Sequence, residues 1–422
     1  MAAPGVSYKA LFHAFLRIGL LSFGGPAGQI ALMHREIVEQ RKWLSEEDYL
    51  NALSFCMLLP GPEAMQLATY SGWRLKGIPG GLIGGLLFVI PGAFVVLALS
   101  MLYATFGAVG WVGALFVGIK SAVVVIVIEA LLKVARRALK RRDHWVLAGL
   151  AFVAIFFLNL PYPLVVALAA IYGFLTATGG IGTAPKTVPV RFGLTLRTVA
   201  VWLVIWWLPL GLLALAAPDT ILIPIGLFFA KLAVVTFGGA YAVLAYMGQQ
   251  AVGLHHWLEA GQMIDGLGLA ETTPGPLILV TEFVGYLAAY RTGGVWLGIA
   301  GAVVTLWMTF APCFLWIFAG APYISRLSSQ PRLRNALAAV TACVVGVILN
   351  LTLWFALHVM FGTVTRFQSG PLVLWTPELA TLNPIALGLT GLAAILLLRL
   401  HWGLGRVLVL SAIAGWALAS LV

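Results

Sequence analysis

Two cations lie inside apolar stretches of this chain, Arg17 and Lys231, and each precedes a Phe-Gly-Gly triplet by six residues. A hydroxyl stands directly before each triplet, Ser22 before Phe23-Gly24-Gly25 and Thr236 before Phe237-Gly238-Gly239. Ionisable groups in apolar stretches are costly and mark substrate or ion pathways. The bland alternative for a long cationic chain is snorkelling to an interface. Glycine admits backbone geometry that other residues resist, and proline removes a donor. Gly24-Gly25-Pro26 should therefore break a helix and leave free N–H groups at the start of its second part. Such groups, with the helix dipole, bind anions. The bland alternative is close packing of small residues against a neighbouring helix, and recurrence of the triplet weighs against it.

A second broken element follows each triplet, Pro60-Gly61-Pro62 and Pro274-Gly275-Pro276. Two prolines around a glycine are not helix interior. Non-helical backbone at membrane depth survives only inside protein or against a water-filled cavity. Polar residues flank both copies, Glu63 and Gln66 in the first, Glu271, Thr272 and Thr273 in the second. The carboxylates do not match, since Glu63 aligns with Leu277 and Glu271 with Met57. A backbone that repeats while its charge does not suits one substrate with a proton or ion partner on one side. Two cations approaching from opposite directions suit a divalent anion near the midplane. Glu63, Glu271 and Glu282 are the coupling candidates, with Asp265 a further carboxylate, and Lys120 and Glu129 also fall in an apolar stretch. No metal is expected. Cys56, Cys313 and Cys343 lack ligand spacing, and the neighbours His255 and His256 would rarely face the same way on a helix. No cofactor is implied, and no phosphate-binding loop of the GxxxxGK[ST] kind is present to use ATP.

The elements that must position these groups come in two copies. Both triplets, Trp43-Leu44 and Trp257-Leu258, and both Pro-Gly-Pro turns keep one offset of 214 residues. Like halves with broken helices are the signature of secondary transporters. Of 422 residues, 61% are hydrophobic and 9% charged, with mean hydropathy +1.01. That surface must face lipid, and apolar runs that do not alternate exclude a barrel. The fold expected is an all-α polytopic membrane protein. About thirteen segments are read, at 10–33, 50–73, 81–106, 111–135, 145–158, 164–178, 199–216, 222–247, 263–288, 295–319, 337–361, 384–398 and 404–421. Residues 1–178 and 198–422 form two transporter repeats joined by a polar linker, 179–197. The net charge of +11 fits basic cytoplasmic loops better than nucleic-acid binding. Arg136, Arg137, Lys140, Arg141 and Arg142 follow the fourth segment, whereas Arg326, Arg332 and Arg334 precede its counterpart. Opposite placement of charge on equivalent helices implies inverted-topology repeats, with a cytoplasmic N-terminus.

The chain resembles the chromate ion transporter family, long-chain type. The likeness runs from Phe15-Leu-Arg17-Ile-Gly through Phe23-Gly-Gly-Pro-Ala-Gly-Gln29 to His34-Arg-Glu36, then Trp43 and Leu59-Pro-Gly-Pro-Glu-Ala64. It continues in Gln66-Leu-Ala-Thr-Tyr70 and Ile90-Pro91-Gly92, and a weaker copy spans Phe237 to Pro276. The resemblance implies chromate export across the bacterial inner membrane, driven by membrane potential or a proton gradient and conferring chromate resistance. It implicates Arg17, Gly24, Gly25, Pro26, Pro60, Gly61, Pro62, Glu63 and Gln66; the full set of binding candidates adds Ser22 and Gln29 and, from the second copy, Lys231, Thr236, Gly238, Gly239, Pro274, Gly275 and Pro276. Met65 stands where most members have another polar residue. Short-chain members carry one half each and can work as pairs, which suits the inverted-repeat reading; a homodimer is a separate expectation. Two rivals stay open: carriage of sulfate or another tetrahedral oxyanion, and a membrane-embedded enzyme acting on lipid phosphate.

Overall fold

The computed structural model describes residues 5–23, 25–107, 109–177, 192–237, 240–324 and 330–420. The first half supplies α1 (Tyr8–Leu21), α2 (Gly25–His34), α3 (Glu46–Cys56), α4 (Glu63–Phe106), α5 (Gly110–Ala138), α6 (Arg142–Phe156) and α7 (Tyr162–Leu175). The second supplies α8 (Phe192–Ala216), α9 (Leu222–Val235), α10 (Ala240–Gly248), α11 (Ala260–Thr272), α12 (Val280–Gly320) and α13 (Pro331–Met360). A β-hairpin, β1 (Val364–Ser369) with β2 (Leu372–Pro377), precedes α14 (Pro384–Ala394) and α15 (Leu404–Ala419). The expected all-α membrane fold is borne out: among the described residues five helical stretches, Glu63–Phe106, Gly110–Ala138, Gly193–Ala216, Leu277–Tyr323 and Pro331–Met360, are long and apolar enough to cross a bilayer. Of the expected linker, 179–191 lie outside the described residues, and 192–197 already belong to α8.

Helix ends follow local chemistry. Ser7, Ser45 and Asn383 cap α1, α3 and α14 by accepting from Ala10, Asp48 and Ala386 N–H groups at 3.1, 3.0 and 3.0 Å. Glu46, Glu47 and Asp48 fill the first turn of α3, where the helix dipole favours negative charge.

The segments read at 50–73 and 263–288 are each interrupted at the Pro-Gly-Pro turn, and the helix that follows doubles back. Within α4, Lys76 and Gly77 leave helical geometry, Gly77 at φ 65°. Gly72 then touches Gly80, and Gly84 touches Ala68. Residues eight and sixteen apart would lie about 12 and 24 Å apart along a straight helix, so 63–75 and 78–106 form an antiparallel pair. In α12 the break is at Gly293 and Gly294, the latter at φ 75°, and Gly285 meets Gly301. Glycines allow this approach because any Cβ there would overlap the facing backbone.

The repeat extends to backbone detail. A π-helical turn at Arg35–Gln40 recurs at Gln249–Leu254, followed by Lys42 and His256 at φ 51° and 52°. Trp43 N–H donates to Ile37 O, and Trp257 N–H to Ala251 O, both at 2.8 Å.

Two compact units result, each drawing on both halves of the sequence. Unit 1 comprises Met1–Met101, Thr178–Ala240 and Thr273–Arg334. There α12 packs on α8 and α9. Trp206 Nε1 donates to Met308 O at 3.1 Å, and Trp202 stacks on Phe314. Unit 2 comprises Leu102–Ala177, Tyr241–Thr272 and Asn335–Val422. There α5 packs on α11, α14 and α15, with Gly118 against the Ser411 carbonyl. Arg141 Nη1 donates to Asn335 Oδ1 at 3.3 Å, which places part of the basic cluster at the start of α13. The β-hairpin was not anticipated. It follows the other end of α13 and takes the Phe157 carbonyl through Val373 N–H at 2.7 Å.

Candidate functional site

Ser22 and Thr236 stand where α1 and α9 stop. Each hydroxyl donates to the carbonyl four residues back, Ser22 Oγ to Ile18 O at 2.6 Å and Thr236 Oγ1 to Leu232 O. Those hydroxyl protons are committed to the helix, leaving the oxygen lone pairs. The carbonyls of the same residues reach across the repeat. Gly61 N–H donates to Thr236 O and Gly275 N–H to Ser22 O, both at 2.9 Å. Within unit 1, then, the Pro-Gly-Pro turn of each half closes the broken helix of the other. Gly61 at φ 111° and Gly275 at φ 90° adopt the left-handed geometry that suits glycine.

The prolines set the turns. Pro62 O accepts from Gln66 N–H at 3.1 Å to begin α4, and Pro276 O accepts from Leu279 N–H at 2.9 Å. Pro274 O lies against Gly92. Two amides secure the turns: Gln66 Nε2 donates to Pro60 O and Gln29 Nε2 to Gly275 O, each at 2.6 Å. Both glutamines are buried, and the Oε1 of each has no hydrogen-bond partner among the described residues. Gln29 aligns with Val243 and Gln66 with Val280, so this polar lining belongs to the first half alone. Gly25 at φ 75° opens α2, with Pro26 after it. Glu63, half-buried, heads α4. The first-turn N–H groups of both helices have no intrahelical acceptor. Gly24, Gly238 and Gly239 lie outside the described residues.

Arg17 does not stand alone. Its Nε is 3.6 Å from Oε1 of the buried Glu36, and Arg41 Nη1 pairs with the other oxygen. Two guanidiniums on one carboxylate leave a net positive charge beside α2. Glu36 and Arg41 were missed as site residues because nothing in their spacing pairs them with Arg17. They meet because the chain folds back between α1 and α2. Lys231 is exposed on α9, and Gln250 stands at the position matching Glu36, so this trio is not repeated.

The coupling candidates separate. Glu63 and Glu282 belong to unit 1; Glu282 is 1% exposed and its Oε2 has no partner among the described residues. Glu271 belongs to unit 2, where Tyr241 Oη donates to it at 2.8 Å, tying the first turn of α10 to the last turn of α11. Unit 2 also carries a cleft of about 300 Å³ lined by Asn159, Gln249, Gln250, Asn350, Trp354 and Arg366 among others. Among the described residues, its lining has one cation and no carboxylate. Arg366 gave no signal in sequence, since it lies on a strand that was not foreseen.

The model of the family described as chromate transporter matches residues 9–174 and 223–416. A chromate transport protein of Cupriavidus metallidurans is 31% identical over 349 residues, covering 82% of each chain. One of Pseudomonas aeruginosa is 33% identical over 360 residues, covering 82% of this chain and 80% of the relative. A probable chromate transport protein of Synechococcus elongatus is 30% identical over 345 residues, covering 82% and 84%. No solved structure matches the chain.

Proposed function

The chain belongs to the chromate transporter family, whose members are transporters rather than enzymes, and we propose that it exports chromate across the bacterial inner membrane as a secondary active transporter. The observation that carries this reading is the crosswise bonding of Gly61 to Thr236 and Gly275 to Ser22. It sets two helix breaks and two turns into one interlocked site in unit 1. The free N–H groups opening α2 and α4 supply donors to a tetrahedral dianion. The Arg17–Glu36–Arg41 trio supplies net positive charge.

Two charges leaving a negative interior gain roughly 5 kcal/mol at 100 mV, from about 2.3 kcal/mol per charge, so membrane potential contributes to driving export beside a proton gradient. Ionised Glu63 competes with the dianion for the N–H groups that open α4, so its protonation governs occupancy. Glu271 and Glu282 are the other coupling candidates. The 214-residue repeat supports two inverted halves of about thirteen segments in all. A cytoplasmic N-terminus and a homodimer complete the reading, and chromate resistance is its physiological outcome.

The test is radiolabelled chromate uptake into everted membrane vesicles, with and without excess sulfate, and with the gradient collapsed. Gradient-dependent uptake that resists sulfate is expected. Uptake fully suppressed by sulfate would replace the reading with a general oxyanion carrier, and no uptake would remove it.

A further inference from the structure

Three polar side chains meet inside unit 2, away from every transport motif. Lys120 Nζ of α5 is 3.3 Å from Asp265 Oδ2 of α11, and Tyr103 Oη of α4 donates to that same oxygen at 2.7 Å. Asp265 is 4% exposed, and its other oxygen, Oδ1, has no hydrogen-bond partner among the described residues. Lys120 lies ten residues into α5, about 15 Å along the axis and so near the middle of a hydrocarbon core roughly 30 Å thick. A lone ion pair at that depth contributes little net stability, because desolvation offsets the attraction. Intramembrane carboxylates of this kind relay protons.

A cavity of about 270 Å³ leads to the pair. Lys120 lines it with His358, Gly362, Thr381 and Asn383. Those last residues lie at or beyond the C-terminal end of α13, whereas Asn335, which binds Arg141, lies at its start. The 30 residues of α13 extend about 45 Å. The cavity therefore opens away from the basic end. With the basic cluster cytoplasmic, it opens to the outside, the side from which protons enter.

Resting on the export reading above, we infer that Asp265, Lys120 and Tyr103 form a proton-exchanging switch that couples inward proton movement to oxyanion export. A hydronium ion in the cavity transfers one proton to Asp265 Oδ1, leaving water and a neutral acid. Lys120 keeps its charge, loses its counter-ion and turns to the polar cavity. The contact pinning α11 to α5 is then released. Along the chain α11 runs directly into Pro274-Gly275-Pro276, so its release bears on the transport turn. Loss of the proton restores the pair. Among the described residues, Lys120 and Tyr103 are the titratable groups facing Asp265. Helix α15, which also packs on α11, carries Arg406 alone, and His358 faces the cavity rather than the carboxylate.

The experiment uses the full chain in proteoliposomes, with two readouts of radiolabelled chromate: counterflow, which needs no gradient, and accumulation driven by a pH gradient. Asp265→Asn is expected to keep counterflow within about twofold and lose accumulation more than tenfold. Should its unpaired lysine impair folding, the double variant Lys120→Met/Asp265→Asn, with no charge at the pair, is expected to do the same. Tyr103→Phe, a positioning change, is expected to shift the pH of half-maximal accumulation. Normal accumulation by Asp265→Asn or the double variant, or an unmoved profile in Tyr103→Phe, would overturn the switch alone. Wild-type vesicles without counterflow would overturn the chromate reading and the switch with it.

Discussion

Gly61 and Thr236, 175 positions apart in the sequence, share a backbone hydrogen bond of 2.9 Å, and Gly275 with Ser22 repeats it. Each turn thus needs the other half's broken helix for its geometry.

Disturbing either turn should affect both halves. Gly61→Ala and Gly275→Ala each force a side chain into left-handed geometry, at about 1 kcal/mol or more for the backbone alone. At Gly61 the new methyl would also lie 2.9 Å from Gln66 Nε2 and 3.0 Å from Cys313 Sγ. Chromate uptake by vesicles is expected to fall more than tenfold in each variant, with protein still in the membrane fraction. Wild-type uptake in both would remove the crosswise turns from the mechanism.

The Arg17–Glu36–Arg41 trio makes a directional prediction. Glu36→Gln leaves two guanidiniums sharing a neutral partner in a buried site, and thermal unfolding in detergent should shift down by several degrees, consistent with about 1–3 kcal/mol. Arg17→Ala removes the single net positive charge of the trio and should raise KM for chromate, while Arg17→Lys recovers part of the affinity. Equal KM in all three proteins would exclude the trio from binding.

The doubled-back helices depend on particular glycines. Gly72→Ala and Gly301→Ala place a methyl onto the Gly80 and Gly285 carbonyls, whereas Gly388 and Gly391 face open space. Size-exclusion profiles after extraction should show aggregation or loss of the first two variants and none for Gly388→Ala. Monodisperse Gly72→Ala would argue against the hairpin in α4.

Much of this was legible before any coordinates. Helix breaks at Phe23-Gly24-Gly25 and at both Pro-Gly-Pro turns follow from the residues themselves, and the constant offset announced their relation. The partners were not legible. Glu36 approaches Arg17 only because α2 folds back on α1, and Gly61 finds Thr236 only in the assembled unit. Hydropathy also hid the reversals at Gly77 and Gly294, because two antiparallel apolar arms and one long apolar helix read alike along the chain. The strand residues from Val364 to Pro377 carry mixed polarity, and neither helical nor clean alternating periodicity marked them.

The interleaving of the two halves has a consequence for biogenesis. Unit 1 takes its last stretch from Thr273–Arg334, so the first hundred residues leave the ribosome long before the chain that completes their packing. Ser22, Gln29 and the turn at Gly61 must wait in the bilayer for their counterparts. The nascent chain therefore needs shelter through most of its synthesis, and a ribosome stalled before Gly275 would release a product that no later folding could rescue.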